Sequence, residues 1–389
     1  MRSGLEVWIS ESSGAYRDAR IGLACNHTAV DASLRHALPL AVAAGVQIVR
    51  LFAPEHGIDA TAQDMIGVND EQRSIEVVSL YGDDEASLRP DPSTLEDLDV
   101  LLFDIQDVGA RYYTYQATLG YIMEVAATTG TKVVVLDRPN PINGVDVEGN
   151  QLQPGHASFV GAYPLAVRHG MTMGEMGRLF KGHVGIDCDL EVIRCEGWRR
   201  DQWFDETGLP WVYPSPNMPT LDTAVIYPGL CLIEGTNLSE GRGTTRPFHL
   251  VGAPWLPAEK MAEYCIKGAA DAGLRGVGFR PANFLPQFQK HAGKECGGVE
   301  IFVQDRNALE SFALGLVVIE AALRVDPERF GWRTETYEFV DEPIAIDLLT
   351  GSPEARVGLE SKVRPRELIE AWTPQLDAWR EIRREYLLY

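Results

Sequence analysis

The chain has 389 residues, 45% of them hydrophobic and 23% charged, with a formal net charge of −21. At roughly 150 residues per domain this length predicts more than one packed unit, the composition excludes a disordered chain, and so negative a charge opposes nucleic-acid binding over any broad surface. The longest apolar stretch, residues 38–49, is broken by Pro39, Gly45 and Gln47 and is too short to cross a bilayer.

The first 140 residues alternate short apolar runs with polar or helix-like stretches. Runs at 20–25, 47–53, 76–81, 100–104 and 132–137 are rich in Val, Ile and Leu and lack the polar alternation of half-exposed strands, so they read as parallel strands buried on both faces. A helix-like segment at 112–128 and the other spacers predict an α/β fold, a Rossmann-like, doubly wound, mostly parallel sheet with helices on both faces. Further along, Thr172 and Glu175 make a capping box that opens a helix, and a strand follows at 190–195. Residues 211–257 are dense in Pro, Gly, Asn and Thr and read as a long structureless loop, which in a compact protein is usually functional. A helix at 257–270, a strand at 298–304, an apolar helix at 307–324 and a last helix from Pro374, capped by Thr373, complete a second, smaller α/β domain. The expected division is 1–218 for a catalytic domain and 219–389 for a domain that contributes the loop wall of a cleft between them. The six cysteines show neither CxxC nor zinc spacing and read as buried thiols. The N-terminus has no apolar run behind a basic start, so the expected compartment is the cytoplasm.

In open parallel sheets, ligands bind beyond the carboxyl ends of the strands. Those ends carry Asn26 and His27, Glu55 and His56, Tyr81, then Asp104, Gln106 and Asp107, and finally Asp137, Arg138 and Asn140. This is more polarity than turns require, and it predicts a polar pocket. The first strand runs into Asn-His-Thr-Ala-Val instead of G-x-G-x-x-G, and no P-loop is present, so no nucleotide cofactor is expected. Glu55, in LFAPEHG, is the first choice for a general acid, because partial desolvation favours its protonated form. A role in satisfying a turn or a buried arginine fits the spacing equally well. For His56, pointing away from Glu55 on an extended chain, a structural role is simpler. Asp104 and Asp107 fit a Mg²⁺ site, a second carboxylate or a helix cap, the cap being simplest. Segment 234–248 gathers Glu234, Glu240, Arg242 and Arg246, which suits either a carboxylate-bearing ligand held bidentately or an Arg/Glu network pinning the loop. Tyr112, Tyr113 and Tyr115 suit stacking on a sugar ring or packing in the core.

Together, FAPEHG (52–57), SLYG (79–82), FDIQDVGARYYTY (103–115), VLDRPNPI (135–142), RHGMT (168–172), PSPNMPT (214–220) and EGTNLSEGRGTTRPF (234–248) resemble the NamZ-type exo-β-N-acetylmuramidases. The resemblance runs from about Arg20 to the terminal YLLY. It implies a glycoside hydrolase that removes N-acetylmuramic acid (MurNAc) from the non-reducing end of peptidoglycan fragments, with the cleft between two interlocked subdomains. It places the family's catalytic glutamate on Glu55 and a participating tyrosine on Tyr81. The lactyl carboxylate of MurNAc would account for the arginines, and its acetamido group for Asn26 or Asn217. The substrate-binding positions drawn from these motifs are Asn26, His56, Asp104, Gln106, Arg111, Tyr115, Arg138, His169, Asn217, Glu240 and Arg242. The implied partner is a MurNAc-containing disaccharide or muropeptide, with no metal, cofactor, nucleic acid or membrane. Relatives commonly carry arginine where this chain has Asp59, so a contact made by that arginine is lost or moved; many also carry export signals. Two other readings remain: a non-catalytic muropeptide-binding or sensing protein, and a metal-dependent hydrolase built on Asp104, Asp107 and His169, for which the ligand spacing is poor.

Overall fold

The structure, a computed structural model, describes residues 1–59 and 75–389. Its strands in chain order are β1 (Ile21–Cys25), β2 (Ile48–Ala53), β3 (Glu76–Ser79), β4 (Val100–Asp104), β5 (Lys132–Leu136), β6 (Glu148–Gln151), β7 (Ala166–Arg168), β8 (Leu190–Ile193), β9 (Leu250–Ala253), β10 (Val277–Phe284) and β11 (Cys296–Val303). Six of them form one sheet in the order β3-β2-β1-β4-β5-β8, every pairing parallel. The order reverses between β1 and β4, and that edge is where such folds hold ligands.

Successive side chains of a strand point to opposite faces. Leu23, Leu51, Leu102 and Val134 pack with Leu5, Trp8 and the helix Ala37–Ala43 on one face. Ala24, Phe52, Leu101, Phe103, Val133 and Val135 join the helices Tyr115–Thr129 and Met173–Leu179 on the other. Burial on both faces is why these runs show no alternation. The five expected strands of the first 140 residues are present, each within two residues of its expected ends, and β8 extends the sheet as a sixth. The Thr172 capping box is formed in both directions, Glu175 N–H donating to the Thr172 hydroxyl at 3.2 Å and Thr172 N–H to Glu175 Oε2 at 3.0 Å.

The second face opens into the larger core, which continues through the helices Ala258–Asp271 and Ser311–Val325 and the antiparallel sheet β10-β11-β9. Three expectations need correction. Residues 211–257 are not structureless: they hold the helix Leu221–Leu230, a 3₁₀ turn at Cys231–Gly235 and β9. The helix is concealed in the sequence by Pro228 and Gly229, yet Gly229 is where it crosses Ser311–Val325 backbone to backbone. A Cβ there would collide with the Ser311 carbonyl oxygen, and one on Gly315 with that of Gly229. Strand β10 escapes notice because it is half-exposed and contains Pro281, which an edge strand tolerates. Thr373 is not a cap: it is the first residue of Thr373–Arg384, and Trp372, which ends the preceding helix Pro365–Ala371 in helical conformation, leaves no extended residue to cap with. Among the described residues no helix is long and apolar enough to cross a membrane.

Candidate active site

Glu55 follows β2 across Pro54. The turn is closed by Gly57 N–H donating to the Pro54 carbonyl at 2.9 Å, and it places His56 at φ 71°, a left-handed conformation that costs a residue with a side chain. Glu55 is 6% exposed. Its Oε2 accepts a hydrogen bond from the Thr114 hydroxyl at 2.6 Å. Thr114 stands at the N-cap of Tyr115–Thr129 but does not cap it, since its hydroxyl is diverted to Glu55. Burial pushes the Glu55 carboxyl up to about 7, with the Glu234 charge adding to the rise, against the lowering by Thr114 and the Arg242 guanidinium. A carboxyl tuned to neutrality is suited to giving up a proton in a reaction.

The facing wall comes from the second half of the chain. Arg242 Nη2 donates to Glu234 Oε1 at 2.6 Å, and its Nε lies 3.2 Å from Glu240 Oε1. The Tyr337 hydroxyl donates to Glu234 Oε2 at 2.8 Å, and Lys290 Nζ lies 3.2 Å from Glu240 Oε2. Burial works to raise Glu234, but the Arg242 charge and these hydrogen bonds outweigh it and hold the carboxyl below its ordinary range. Two buried carboxyls in one pocket are thereby pushed apart, Glu55 towards the acid and Glu234 to the anion, the pattern that separates acid and base roles.

Aromatic rings fill the space between. Tyr113 meets Tyr115 and Tyr227 edge to face at 5.0 and 5.6 Å, and Tyr227 meets Phe248 at 5.0 Å. Asn26 Nδ2 donates to the Tyr115 oxygen at 3.0 Å, and the Tyr115 hydroxyl donates to the Pro214 carbonyl at 2.8 Å. Burial raises the phenols of Tyr113 and Tyr115, so both stay neutral donors. Ser215, Asn217 and Met218 line one side and Tyr337 and Glu338 another, around a space of about 30 Å³, room for one or two waters.

Of the expected site residues, Glu55, His56, Tyr115, Asn217 and Arg242 line this pocket. Three more stand one layer behind it: Asn26 behind Tyr115, Glu240 behind Arg242, and Tyr81 behind Glu338, to whose Oε2 its hydroxyl donates at 3.1 Å. The remainder are elsewhere. Asp104 and Arg138 form a buried ion pair at 2.5 Å, and Arg138 and Gln106 border a separate crevice beside Thr28 and Asp31. Gln106 donates to the carbonyls of Asp107 and Pro139. Arg111, fully buried, donates to the carbonyls of Asn150, Leu165 and Leu349. His169 Nδ1 accepts from Met171 N–H, and its Nε2 lies 3.4 Å from Asp107. Arg246 pairs with Glu300 at 3.1 Å on a part-exposed surface, and Asp59 is exposed. With Asp104 held by Arg138, the three proposed metal ligands do not converge, and among the described residues no group of three His, Cys, Asp or Glu is arranged to hold a metal ion. Thr114, Ser215, Tyr337 and Glu338 were not anticipated. Thr114 sits inside the FDIQDVGARYYTY motif and could have been found there; the Tyr337–Glu338 segment carries no pattern that marks it.

The fold and this pocket define a two-lobed α/β protein with two buried carboxyls, Glu55 and Glu234, in one pocket at the carboxyl edge of its parallel sheet. Within that class the chain belongs to the NamZ family: the family described as exo-beta-N-acetylmuramidase NamZ, N-terminal, matches residues 21–222, and its C-terminal counterpart matches 225–389. The chain is 40% identical over 393 aligned residues to the peptidoglycan beta-N-acetylmuramidase NamZ of Bacillus subtilis (strain 168), covering 100% of this chain and 91% of that protein. Two crystal structures of DUF1343 family proteins from Bacteroides fragilis NCTC 9343 superpose on it with TM-scores of 0.89 and 0.77, at 31% and 27% identity, each over 100% of this chain and 98% of the other.

Proposed function

We propose that this protein is an exo-β-N-acetylmuramidase that releases MurNAc from the non-reducing end of peptidoglycan fragments, with Glu55 as the general acid. The observation that carries the reading is the Glu55 carboxyl itself: buried, raised to about 7, and fixed by Thr114 in a pocket walled by both halves of the chain. Its proton would pass to the glycosidic oxygen as the C1–O bond breaks, the electron pair leaving on that oxygen. The 40% identity to the Bacillus subtilis enzyme, sustained over the whole chain, supports the same substrate class. Arg242 supplies positive charge for the lactyl carboxylate, Asn217 an amide for the acetamido group, and Tyr115 an aromatic surface for the ring.

The test is release of a chromophore from a β-MurNAc glycoside. Glu55→Gln is expected to lower turnover by roughly 10²–10⁴-fold with an unchanged circular dichroism spectrum, and wild-type turnover by that variant would remove Glu55 from the chemistry. A wild-type protein that binds MurNAc sugars but forms no product over long incubation would favour the sensing role instead.

A further inference from the structure

A second cavity, of about 490 Å³, shares no lining residue with the Glu55 pocket. It lies where the two halves of the chain meet. Residues 145–149 and Arg168 come from the first half, and the stretch leading into the helix Ser311–Val325 and the helices Pro365–Ala371 and Thr373–Arg384 from the second. Glu148 ties the junction together, its Oε1 accepting from Arg168 Nη1 at 2.6 Å and its Oε2 from Phe312 N–H at 2.8 Å. A volume of this size falls in the range of small-ligand sites.

The lining has two kinds of surface. Val147, Leu309, Phe312, Ile369 and Leu376 make it apolar in part, and four arginines stand against three acids, a positive balance on a chain of net charge −21. The acids already have cationic partners: Asp146 and Glu148 lie 3.2 and 2.6 Å from the buried Arg168, and Glu310 lies 3.0 Å from Arg366. Arg366 is further fixed by its Nε, which donates to the Ala272 carbonyl at 2.7 Å. Arg380 pairs at 2.7 Å with Asp377 on its own helix, both side chains exposed, and a pair of that kind is weak in water. Arg275 is exposed and makes no hydrogen bond or ion pair among the described residues. Three arginines carried by separate segments thus border one partly apolar cavity.

We propose that this cavity is a second ligand site, separate from the Glu55 pocket, and that it takes a small amphipathic polycarboxylate in the form of a short acidic peptide. The carboxylates meet Arg275, Arg366 and Arg380, whose planar guanidiniums suit two carboxylate oxygens at once. The apolar part of the ligand covers Phe312, Ile369 and Leu376, removing their surface from water. An inorganic anion would pair the arginines and leave the apolar lining wet, and an uncharged apolar molecule would leave the guanidiniums without counter-charges. A ligand that carries both surfaces uses the whole lining.

The experiment titrates the full chain with the peptide N-acetyl-Glu-Leu-Glu in a calorimeter, beside its uncharged counterpart N-acetyl-Gln-Leu-Gln-amide and inorganic phosphate. The acidic peptide is expected to bind with a Kd on the order of 10⁻⁴ M at low salt, weakening several-fold at about 0.5 M salt. The uncharged peptide is expected to give no heat, and phosphate to bind at least about tenfold more weakly than the acidic peptide. Joint substitution Arg275→Ala and Arg380→Ala, at exposed positions, is expected to weaken the peptide about tenfold with an unchanged melting temperature. Methyl NMR of the unaltered protein supplies a check that needs no variant: the signals of Leu309, Ile369 and Leu376 are expected to move on titration, and that of Met218, in the Glu55 pocket, to stay. No binding at about 10 mM peptide, equal binding of the uncharged peptide, or a wild-type Kd in the doubly substituted protein would overturn the inference. So would phosphate binding as tightly as the peptide, which marks a general anion site, or movement of Met218 in place of the cavity signals. None of these readings involves turnover, so the outcome is independent of whether Glu55 acts on a sugar.

Discussion

Glu55 and Glu234 show how one pocket keeps two carboxyls in different protonation states. Both are buried, but only Glu234 has a guanidinium and a phenol donating directly to it. The consequence for Glu55 reaches stability as well as chemistry. Its carboxyl moves from 4.5 in the unfolded chain to about 7 in the fold, so the fold prefers the proton. The stability that depends on that proton is complete below about 4.5 and is lost as the pH rises to about 7. A glutamine does not titrate, so Glu55→Gln is expected to gain on wild type by up to about 3 kcal/mol at pH 8 relative to pH 4.5. Urea midpoints at the two pH values measure the difference, and an equal gap at both would contradict the burial argument. At this scale the sequence showed the acid and the arginine because each lies in a compact motif beside a strand or glycine turn. It did not show Glu338, which reaches the pocket lining on a turn set by two backbone angles, nor that Asp104 and Arg138 pair with each other, which depends on two strand ends lying side by side.

The elements divide along the same physical line. Strands β1, β2, β4 and β5 were legible because burial on both faces leaves continuous apolar runs between polar ends. The helix Leu221–Leu230 was not, because the residues that make it fit its neighbour are those that weaken helices in isolation. Its crossing with Ser311–Val325 supplies a decisive measurement. Helix propensity alone favours Gly315→Ala by about 1 kcal/mol, whereas collision of the new methyl with the Gly229 carbonyl costs about 1–3 kcal/mol or more through overpacking. The collision is expected to win, giving a lower melting temperature in thermal denaturation; a higher one would show that the helices have room to separate.

Across the whole molecule the two halves are stitched together beyond the pocket as well as at it. The larger core runs from Ala24 to Trp379 without a break. Arg111 reaches the Leu349 carbonyl, Trp379 Nε1 donates to the His169 carbonyl at 3.1 Å, and the Tyr389 hydroxyl donates to Asp137 Oδ2 at 2.7 Å, just beyond the end of β5. Such a molecule is expected to unfold in one transition, with calorimetric and van't Hoff enthalpies equal, and two resolved heat-absorption peaks would show the halves to be independent. The sequence reading expected a second wall opposite the sheet, and residues from both halves of the chain line the pocket. How tightly that wall is tied could not be read, because the ties run between residues more than 200 positions apart.

The narrowness of the chamber beside Glu55 governs how an enzyme of this kind meets its substrate. A pyranose ring is several times larger than the one or two waters that fit there, so a sugar seated against Glu55 would need the lining to give way. Apparent affinity is then weaker than the intrinsic contacts by the fraction of molecules that are receptive, and encounter is slower than diffusion allows. A substitution that trims an aromatic from the rim would therefore hasten capture of the sugar while slackening the grip that aligns it, raising the association rate and lowering kcat in the same protein.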